Sequence, residues 1–409
     1  MSRYSSAPDA TSTRAGDLRG VSRLAIDGVT GMAELVEAVH AAVLHPPALF
    51  GRRAPVTTRG IPHLVYRSVR GVARMVGGGI DLSLSALAPV LRELGVSPRR
   101  EAVIAAVNGV LGDHLEASGN PLAIRMSFRR DGVPLVLMRR ELHARFPQAS
   151  GRLLVLVHGL CMNDLQWRQD GHDHGEALAR ELGCTPVHLH YNSGRHVSDN
   201  GREFASLLSR LVKAWPVPVE EITLLCHSMG GLVARSAFHA GFRRHMAWTQ
   251  LPLRIVFLGT PHHGAPLERA GSWADLLIGI TPYSAPFVRL GRMRSAGIQD
   301  LRHGNVRDTD WQQAQGDARA DMRRPSPLPA SVRAYAIAAT TQEEGDDVHA
   351  TRGDGLVPIA SALGEHPDPA FDLRIPSTRR WVGYGIHHLQ MLRSEVVYRR
   401  IADWLREPE

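Results

Sequence analysis

The segment from residue 222 to residue 232 constrains the fold of this chain most. It reads Ile-Thr-Leu-Leu-Cys-His-Ser-Met-Gly-Gly-Leu, an apolar run that ends at a serine followed closely by two glycines. This pattern is typical of a buried strand that turns sharply into a helix, with the serine at the turn. Ser228 would lie at the apex, and Gly230 would let the strand and the helix backbones approach closely. The segment therefore predicts a sheet with helices packed on it.

Two later segments supply the partners that such a serine needs. Residues 352–358 place Asp354 between two glycines ahead of Leu-Val-Pro, and residues 385–392 place His388 at the entrance of an amphipathic C-terminal helix. Serine, aspartate and histidine follow one another in an order that neither of the two main serine-protease types shows. The sequence thus predicts that Ser228, Asp354 and His388 form a catalytic triad.

A further segment predicts an oxyanion hole, the backbone N–H groups that would stabilise the negatively charged oxygen of the reaction intermediate. The apolar run 153–157 opens into His158-Gly159-Leu160, a glycine turn next to the predicted serine strand. Turns of this kind present a backbone N–H towards the reaction centre. We expect one donor from Met229 and a second from Leu160, with Cys161 as the alternative to Leu160.

The chemistry explains why these residue types are needed together. A serine hydroxyl is a weak nucleophile at neutral pH, so a histidine must take its proton during attack on a carbonyl carbon. A buried carboxylate holds the imidazole in one tautomer and stabilises the imidazolium that forms. Water then releases the acyl group. Acyl transfer to another nucleophile, cleavage of thioesters or amides, and a non-catalytic binding role for the same fold stay open as alternatives.

Neighbouring residues compete for two of these roles. His387 stands directly before His388, but only His388 immediately precedes the Leu-x-x-Leu pattern, which favours it as the base. Other carboxylates lack the flanking glycines and the following Val-Pro of Asp354; these are Asp346, Asp347 and Asp372. We therefore keep Asp354 as the predicted acid.

The stretch from about Pro121 to Trp404 resembles the α/β-hydrolases of the lipase and esterase superfamily. It is most similar to the bacterial proteins grouped with the GPI inositol-deacylase-like and triacylglycerol-lipase-like hydrolases. The resemblance is carried by His158-Gly159-Leu160, Tyr191-Asn192-Ser193-Gly194, Cys226 to Gly231, Gly259-Thr260-Pro261-His262-His263-Gly264, Gly353-Asp354-Gly355 and His388. It implies cleavage of carboxylic esters with no metal or organic cofactor, a mostly parallel sheet, and a lid region after the Gly-Thr-Pro-His segment. Cys226 stands where many of these proteins carry glycine.

The alternation of apolar and polar segments predicts an α/β fold with a mostly parallel sheet. We expect a hairpin around Arg130-Asp131-Gly132. The predicted strands are 123–128, 134–138, 153–157, 186–191, 222–226, 254–258 and 332–338, and the main helices of this part are 175–182, 201–215 and one after residue 388.

At 409 residues the chain exceeds one compact domain, so we expect added segments around the hydrolase core of 121–409. Residues 1–20 are predicted to be disordered, and 21–120 to be helical, with a third helix from Pro98 to about Ala117. Residues of about 265–331 read as a cap or lid. Candidate substrate-binding residues are Trp273, Leu277, Tyr283 and Phe287 in this cap, and Asn192 after a strand.

The charge of the chain admits two interpretations. The net charge is +8 and the pI near 10.0, yet Lys213 is the only lysine and the arginines are spread in pairs along the chain. A solvated basic surface is the favoured interpretation, and a basic patch that faces an acidic partner or an anionic membrane surface is the other. No segment has the pattern of a nucleic-acid-binding motif. We expect a small-molecule or lipid acyl-ester substrate, and the sequence leaves the oligomeric state open.

The cysteines and the N-terminus predict a protein of a reducing compartment, and the spacing of cysteines and histidines predicts no metal site. The N-terminus lacks the apolar core of a secretory signal, and the three cysteines have no metal-ligand spacing. We expect a cytoplasmic protein, with peripheral membrane contact as an alternative. The cluster Asp170, His172, Asp173 and His174 is interpreted as a loop or helix cap, since a distant third ligand is missing. We expect structural hydrogen bonds from His158, His262 and His263.

Overall fold

The computed structural model describes residues 98–265, 295–313, 323–344 and 353–407. The chain divides into two compact units. One contains Met1–Ser97 and Leu115–Ala123, and of it only the second stretch is described, a turn in which the Asn120 N–H donates to the Leu115 carbonyl at 2.8 Å. The other unit contains Pro98–His114 and Ile124–Glu409. The predicted disordered residues 1–20 and the predicted helices before residue 98 lie outside the described residues.

An eight-stranded sheet forms the centre of the second unit, in the order β2-β1-β4-β3-β5-β6-β7-β8. The first strand pairs antiparallel with β2 and β4, and all other neighbours are parallel. Strands β3 to β7 are almost wholly buried, which explains their continuous apolar sequences. The strands are β1 Ser127–Arg130, β2 Val133–Pro134, β3 Arg152–Val157, β4 Thr185–His190, β5 Glu221–His227, β6 Leu253–Leu258, β7 Val332–Ala339 and β8 Arg380–Gly383.

Helices follow most strands and cover the sheet. The α-helices within the described ranges are α1 Pro98–Ala117, α2 Arg139–Arg145, α3 His174–Leu182, α4 Val197–Ala214, α5 Met229–Arg243, α6 Ala296–His303, α7 Asp308–Gln313, α8 Ile359–Leu363 and α9 Glu395–Arg406. Short 3-10 helices lie at Asp164–Trp167, Ala247–Gln250, Ser377–Arg379 and His388–Leu392. In this part of the chain, no helix combines the length and apolar character that a bilayer crossing requires.

Two packing contacts fix the helices against the sheet. Apolar side chains of α3 and α9 join the core cluster under the sheet, where the rings of Tyr335 and Trp404 stack at 5.2 Å. Helices α4 and α5 lie so close together that a Cβ atom on Gly201 would come within 2.3 Å of the Ser236 side chain. Only glycine therefore permits this approach.

The hairpin prediction is confirmed at its turn and is wrong in its second strand. Asp131 and Gly132 have positive φ angles of 53° and 76°, as a tight hairpin turn requires. The predicted strand 134–138 stops at Pro134. The Leu135 N–H still donates to the Phe128 carbonyl at 2.8 Å, but the chain then turns, with the Met138 N–H donating to the Val136 carbonyl, and enters α2 at Arg139. The first strand also begins later than predicted, at Ser127.

The C-terminal helix is also divided, contrary to the prediction of one helix entered by His388. A 3-10 turn covers His388–Leu392, and α9 begins only at Glu395. Ser394 caps α9 by accepting the Val397 N–H, which fixes the start of the helix after the histidine. The prediction for 201–215 also starts late, since α4 begins at Val197.

Candidate active site

Ser228 lies at the turn between β5 and α5, where the sequence pattern predicts it. Its φ and ψ angles are 54° and −126°, a conformation that costs a residue with a side chain roughly 1–3 kcal/mol. The turn is held by the Ser228 N–H, which donates to the Leu258 carbonyl at 2.8 Å. A Cβ atom on Gly230 would lie 2.4 Å from the Val157 carbonyl oxygen, so this helix start can approach β3 only with glycine.

Asp354 and His388 form a buried pair. His388 Nδ1 donates to Asp354 Oδ2 at 2.7 Å, and neither side chain is more than 4% exposed. The other oxygen, Oδ1, accepts the backbone N–H groups of Leu356 and Val357 at 3.0 and 2.9 Å. The Asp354 carbonyl also accepts the His388 N–H at 3.1 Å. The carboxylate is thus held by the loop, and it binds the imidazole through Nδ1, while Nε2 has no partner among the described residues.

The structure brings this pair to the same edge of the sheet as the serine. His227, the residue before Ser228, donates from Nε2 to the His388 carbonyl at 3.2 Å. Gly259 follows the neighbouring strand β6, and a Cβ atom placed there would lie 3.1 Å from both Asp354 Oδ2 and His388 Cε1. No hydrogen bond joins the Ser228 hydroxyl to His388 among the described residues. Catalytic hydrogen bonds often tighten only when substrate binds.

The glycine turn after β3 lies directly against the serine. A Cβ atom on Gly159 would come within 3.1 Å of Ser228 Cβ. The Cys161 N–H is already used, since it donates to the Ser193 hydroxyl at 3.0 Å. No acceptor for the Leu160 N–H lies within the described ranges, and Met229 is the first residue of α5, where N–H groups have no partner inside the helix. Leu160 and Met229 are therefore better placed as donors than Cys161.

Comparison with known proteins agrees with this architecture. Residues 148–318 match the family described as the PGAP1-like alpha/beta domain. This match spans 171 of the 409 residues, and the sheet described above has the architecture of an α/β-hydrolase fold. No curated protein matches the sequence.

Solved structures with a similar course of the chain were also found. The mature lipase BlEst2 of Bacillus licheniformis is 16% identical, covers 69% of this chain and 98% of its own, and gives a TM-score of 0.42. The esterase PF2001 of Pyrococcus furiosus is 12% identical over 63% of this chain and 82% of its own, with a TM-score of 0.37. Phospholipase PlaB of Legionella pneumophila is 16% identical over 52% and 44%, with a TM-score of 0.32.

His158 makes contacts that hold the glycine turn after β3 in place. Its Nδ1 donates to the Gly159 carbonyl at 2.9 Å, and its Nε2 accepts the Tyr191 N–H at 3.4 Å. The Tyr191 ring stacks on it at 4.3 Å, and the Tyr191 hydroxyl donates to the His158 carbonyl. Burial lowers the pKa of His158 to about 4. With both nitrogens engaged and the ring neutral, His158 braces the glycine turn.

The two histidines after β6 are also held away from proton transfer. Burial, followed by the nearby Arg235, lowers the pKa of His262 well below its usual value, and its ring packs edge-on against Phe257 at 4.4 Å. Burial lowers the pKa of His263 to about 4. His387 is exposed, and its N–H donates to Gln390 at 2.8 Å, so it does not face Asp354.

Both side-chain polar atoms of Asn192 have hydrogen-bond partners within the protein. Its Oδ1 accepts the Gly194 N–H at 3.1 Å, and its Nδ2 donates to the Gly112 carbonyl at 2.9 Å. Its carbonyl accepts from the Asn200 side chain. These contacts brace the loop after β4. The remaining substrate-binding candidates, Trp273, Leu277, Tyr283 and Phe287, lie outside the described residues, as do the competing carboxylates Asp346 and Asp347.

Helix α1 supports the same loops, a role that the sequence analysis missed. A Cβ atom on Gly109 would come within 2.1 Å of Cys161 Sγ, and one on Gly112 within 1.8 Å of Asn192 Oδ1. The three-residue spacing of these glycines on one helix face was the available signal for a close approach. The last helix of the predicted segment 21–120 thus contacts the loops beside Ser228.

The cysteines and the histidine cluster have structural contacts. The three cysteines are free, and burial raises the pKa of the Cys161 and Cys226 thiols. Asp173 caps α3 by accepting the Glu176 N–H at 3.1 Å, and His174 contacts the Met391 carbonyl at 2.8 Å. Within the described ranges, no group of three or more histidine, cysteine or acidic residues is arranged to hold a metal ion.

Proposed function

We propose that this protein is a serine hydrolase that cleaves carboxylic esters through a Ser228–His388–Asp354 triad and an acyl-enzyme. The buried 2.7 Å hydrogen bond between His388 and Asp354, next to a serine in a strained turn, carries the proposal. Strain of this kind persists only where the surrounding structure holds it, and it often occurs at reactive residues.

The reaction follows from these positions. His388 Nε2 takes the proton of Ser228 Oγ as this oxygen bonds to the ester carbonyl carbon, and Asp354 stabilises the imidazolium. The carbonyl oxygen becomes an oxyanion that accepts from the Leu160 and Met229 N–H groups. When the intermediate collapses, His388 gives its proton to the departing alcohol. Water then repeats the sequence with His388 as base, which releases the carboxylic acid and restores the serine.

A cleft of 320 Å³ is lined by residues that follow the oxyanion turn and His388, and it offers space for part of the substrate. Met162, Leu165 and Leu389 form its apolar side. Met162 comes directly after the oxyanion turn, and Leu389 directly after the base. We propose that it takes an apolar portion of a lipid-like ester. A Leu165→Trp variant is expected to lower turnover of long-chain esters more than that of acetate esters. An unchanged ratio across a panel of chain lengths would remove the cleft from the substrate path.

The central experiment compares p-nitrophenyl ester turnover by the natural chain and by Ser228→Ala. We expect turnover to fall by about 10⁴-fold or more, because the three triad residues act together and catalysis is lost when the nucleophile is removed. Ser206→Ala is the matched control, because Ser206 is exposed on α4 and its hydroxyl donates to the Arg202 carbonyl one turn earlier. Equal melting temperatures would show that both variants fold. Retained turnover in Ser228→Ala would refute the proposed nucleophile.

A further inference from the structure

A basic cleft of 490 Å³ lies far from the candidate active site, between α4, α5 and the segment that includes α7. Its positively charged lining consists of Arg202, Arg243, Arg244, Arg307 and Arg324, with His239 beside them. Helix α5 carries Ser228 before its first residue and Arg243 at its last. At about 1.5 Å per residue, its length separates the two by roughly 20 Å.

The carboxylates near this cleft are already engaged by the protein. Asp308, which also lines the cleft, pairs with Arg202, and so does Asp199. Asp310 is buried and accepts the Val306 and Arg307 N–H groups, each at 2.9 Å. These contacts leave no carboxylate among the described residues to pair with the side chains of Arg243, Arg244 or Arg324.

The pKa values of Arg307 and His239 are lowered by burial and, in addition, by the neighbouring arginines. Burial lowers the pKa of Arg307, and Arg243 and Arg324 lower it further against the opposing effect of Asp310. Burial also lowers the pKa of His239, and Arg307 and Arg243 add to that shift against Asp310 and Asp308. In addition, Arg307 Nε is buried without an acceptor among the described residues. Arg307 Nη2 donates to the Pro325 carbonyl at 2.7 Å, and this neutral acceptor does not balance its charge. An anion stabilises guanidinium groups that are held together without enough carboxylates.

The helix dipole at this position does not remove the preference for an anion. The C-terminal end of a helix carries roughly −0.5 elementary charge, and α5 ends at Arg243 in the cleft. Arg243 and Arg244 contribute two full positive charges at the same end, so the local field stays positive.

We propose that this basic cleft is a second binding site, one that takes a phosphate group from a soluble phosphorylated compound or from a lipid headgroup. Guanidinium groups bind phosphate oxygens through paired N–H donors, which favours arginine over lysine at such sites. The volume lies within the range of about 300–1,000 Å³ that is usual for small-molecule sites. The site does not depend on the proposed ester cleavage. It would account for some of the arginines that make the net charge positive.

Isothermal titration calorimetry with inorganic pyrophosphate tests the soluble source. The double variant Arg243→Gln/Arg244→Gln changes two exposed side chains, so its folding is expected to be unaffected. Arg210→Gln is the control, because Arg210 is exposed on α4 and does not line the cleft. We expect binding to weaken by about tenfold or more in the double variant, as two charge-assisted contacts are lost, and to be unchanged in the control. Ester turnover should stay unchanged in both.

Cosedimentation with phosphatidylcholine vesicles, with and without phosphatidic acid, tests the lipid source. Pyrophosphate binding that the double variant loses identifies a soluble ligand. Retention on phosphatidic acid vesicles that the double variant loses identifies a headgroup. Either result supports the proposal. It is overturned when the natural chain binds neither probe, or when the double variant and the Arg210 control bind equally well.

Discussion

His158 and His388 are two buried histidines at the same edge of the sheet. They show how the hydrogen-bond partner determines whether a buried histidine is structural or a candidate base. His158 donates to one backbone carbonyl and accepts from one backbone N–H, and burial lowers its pKa to about 4. His388 donates to the Asp354 carboxylate, and its second nitrogen has no partner among the described residues. A carboxylate can stabilise an imidazolium inside the protein, whereas a neutral carbonyl offsets little of the desolvation cost. Burial alone therefore makes a structural histidine, and burial with a carboxylate makes a candidate base.

The strongest test of this contrast replaces each histidine. In His388→Ala we expect ester turnover to fall by about 10⁴-fold or more, with little change in melting temperature. In His158→Gln we expect turnover per folded molecule to persist and the protein to lose roughly 1–3 kcal/mol of stability from its broken backbone contacts. Turnover assays with thermal melts measure both. The reverse pattern would exchange the two roles.

A second test removes the charge that distinguishes the two histidines. Asp354→Asn keeps the shape of the loop but replaces the carboxylate that fixes the His388 tautomer. We expect kcat to fall by about 10⁴-fold at neutral pH, as an amide cannot stabilise the imidazolium. Steady-state kinetics give the value. A loss below tenfold would show that another acid serves the histidine; Asp372 is unsuited, because it accepts the Arg374 and His366 N–H groups.

A smaller effect is expected from the turn that His158 braces. In Gly159→Ala the added methyl group would lie 3.1 Å from Ser228 Cβ and 3.2 Å from His227 Nδ1. Either the serine or the turn must move, and we expect kcat to fall by about 10–100-fold, since displacements near 1 Å have effects of this size. Unchanged kcat would mean that the turn and the serine are not coupled.

The pKa of His158 predicts how stability depends on pH. Its folded-state pKa of about 4 lies below the usual 6.5, so the unfolded chain binds more protons between these values. The folded state therefore has its full free energy of unfolding from this group above pH 6.5. As the pH falls towards 4, that free energy decreases by at most about 3 kcal/mol. Urea unfolding from pH 7 to pH 4 measures the slope. His158→Gln should flatten it, and an unchanged slope would locate the titration elsewhere, for example at His174, whose pKa is also lowered to about 4.

Much of the fold was predictable because its signals are local. The apolar runs of β3, β5 and β6 and the glycines around Ser228 and Asp354 each specify their own backbone. The apolar spacing did not predict the break between His388 and α9, because the start of α9 is set by the Ser394 cap. Strand β8, with its mixed exposure, has no comparable pattern.

The partners of side chains were less predictable, because they come from distant parts of the chain. Nothing near His158 in the sequence indicates that Tyr191 stacks on it. The basic cleft has the same character. Arg202, Arg243, Arg307 and Arg324 are far apart in the sequence, and only the packing of α4, α5 and the segments on either side of α7 brings them together.

The most direct test of the account asks which residue reacts. The protein is treated with a fluorophosphonate probe, digested, and the modified peptide is sequenced by mass spectrometry, with His388→Ala treated in parallel. The account predicts a single adduct on Ser228 that forms far more slowly in the variant. Rapid ester cleavage with Ser228 unmodified, or equal labelling of Ser228 with and without His388, would contradict it.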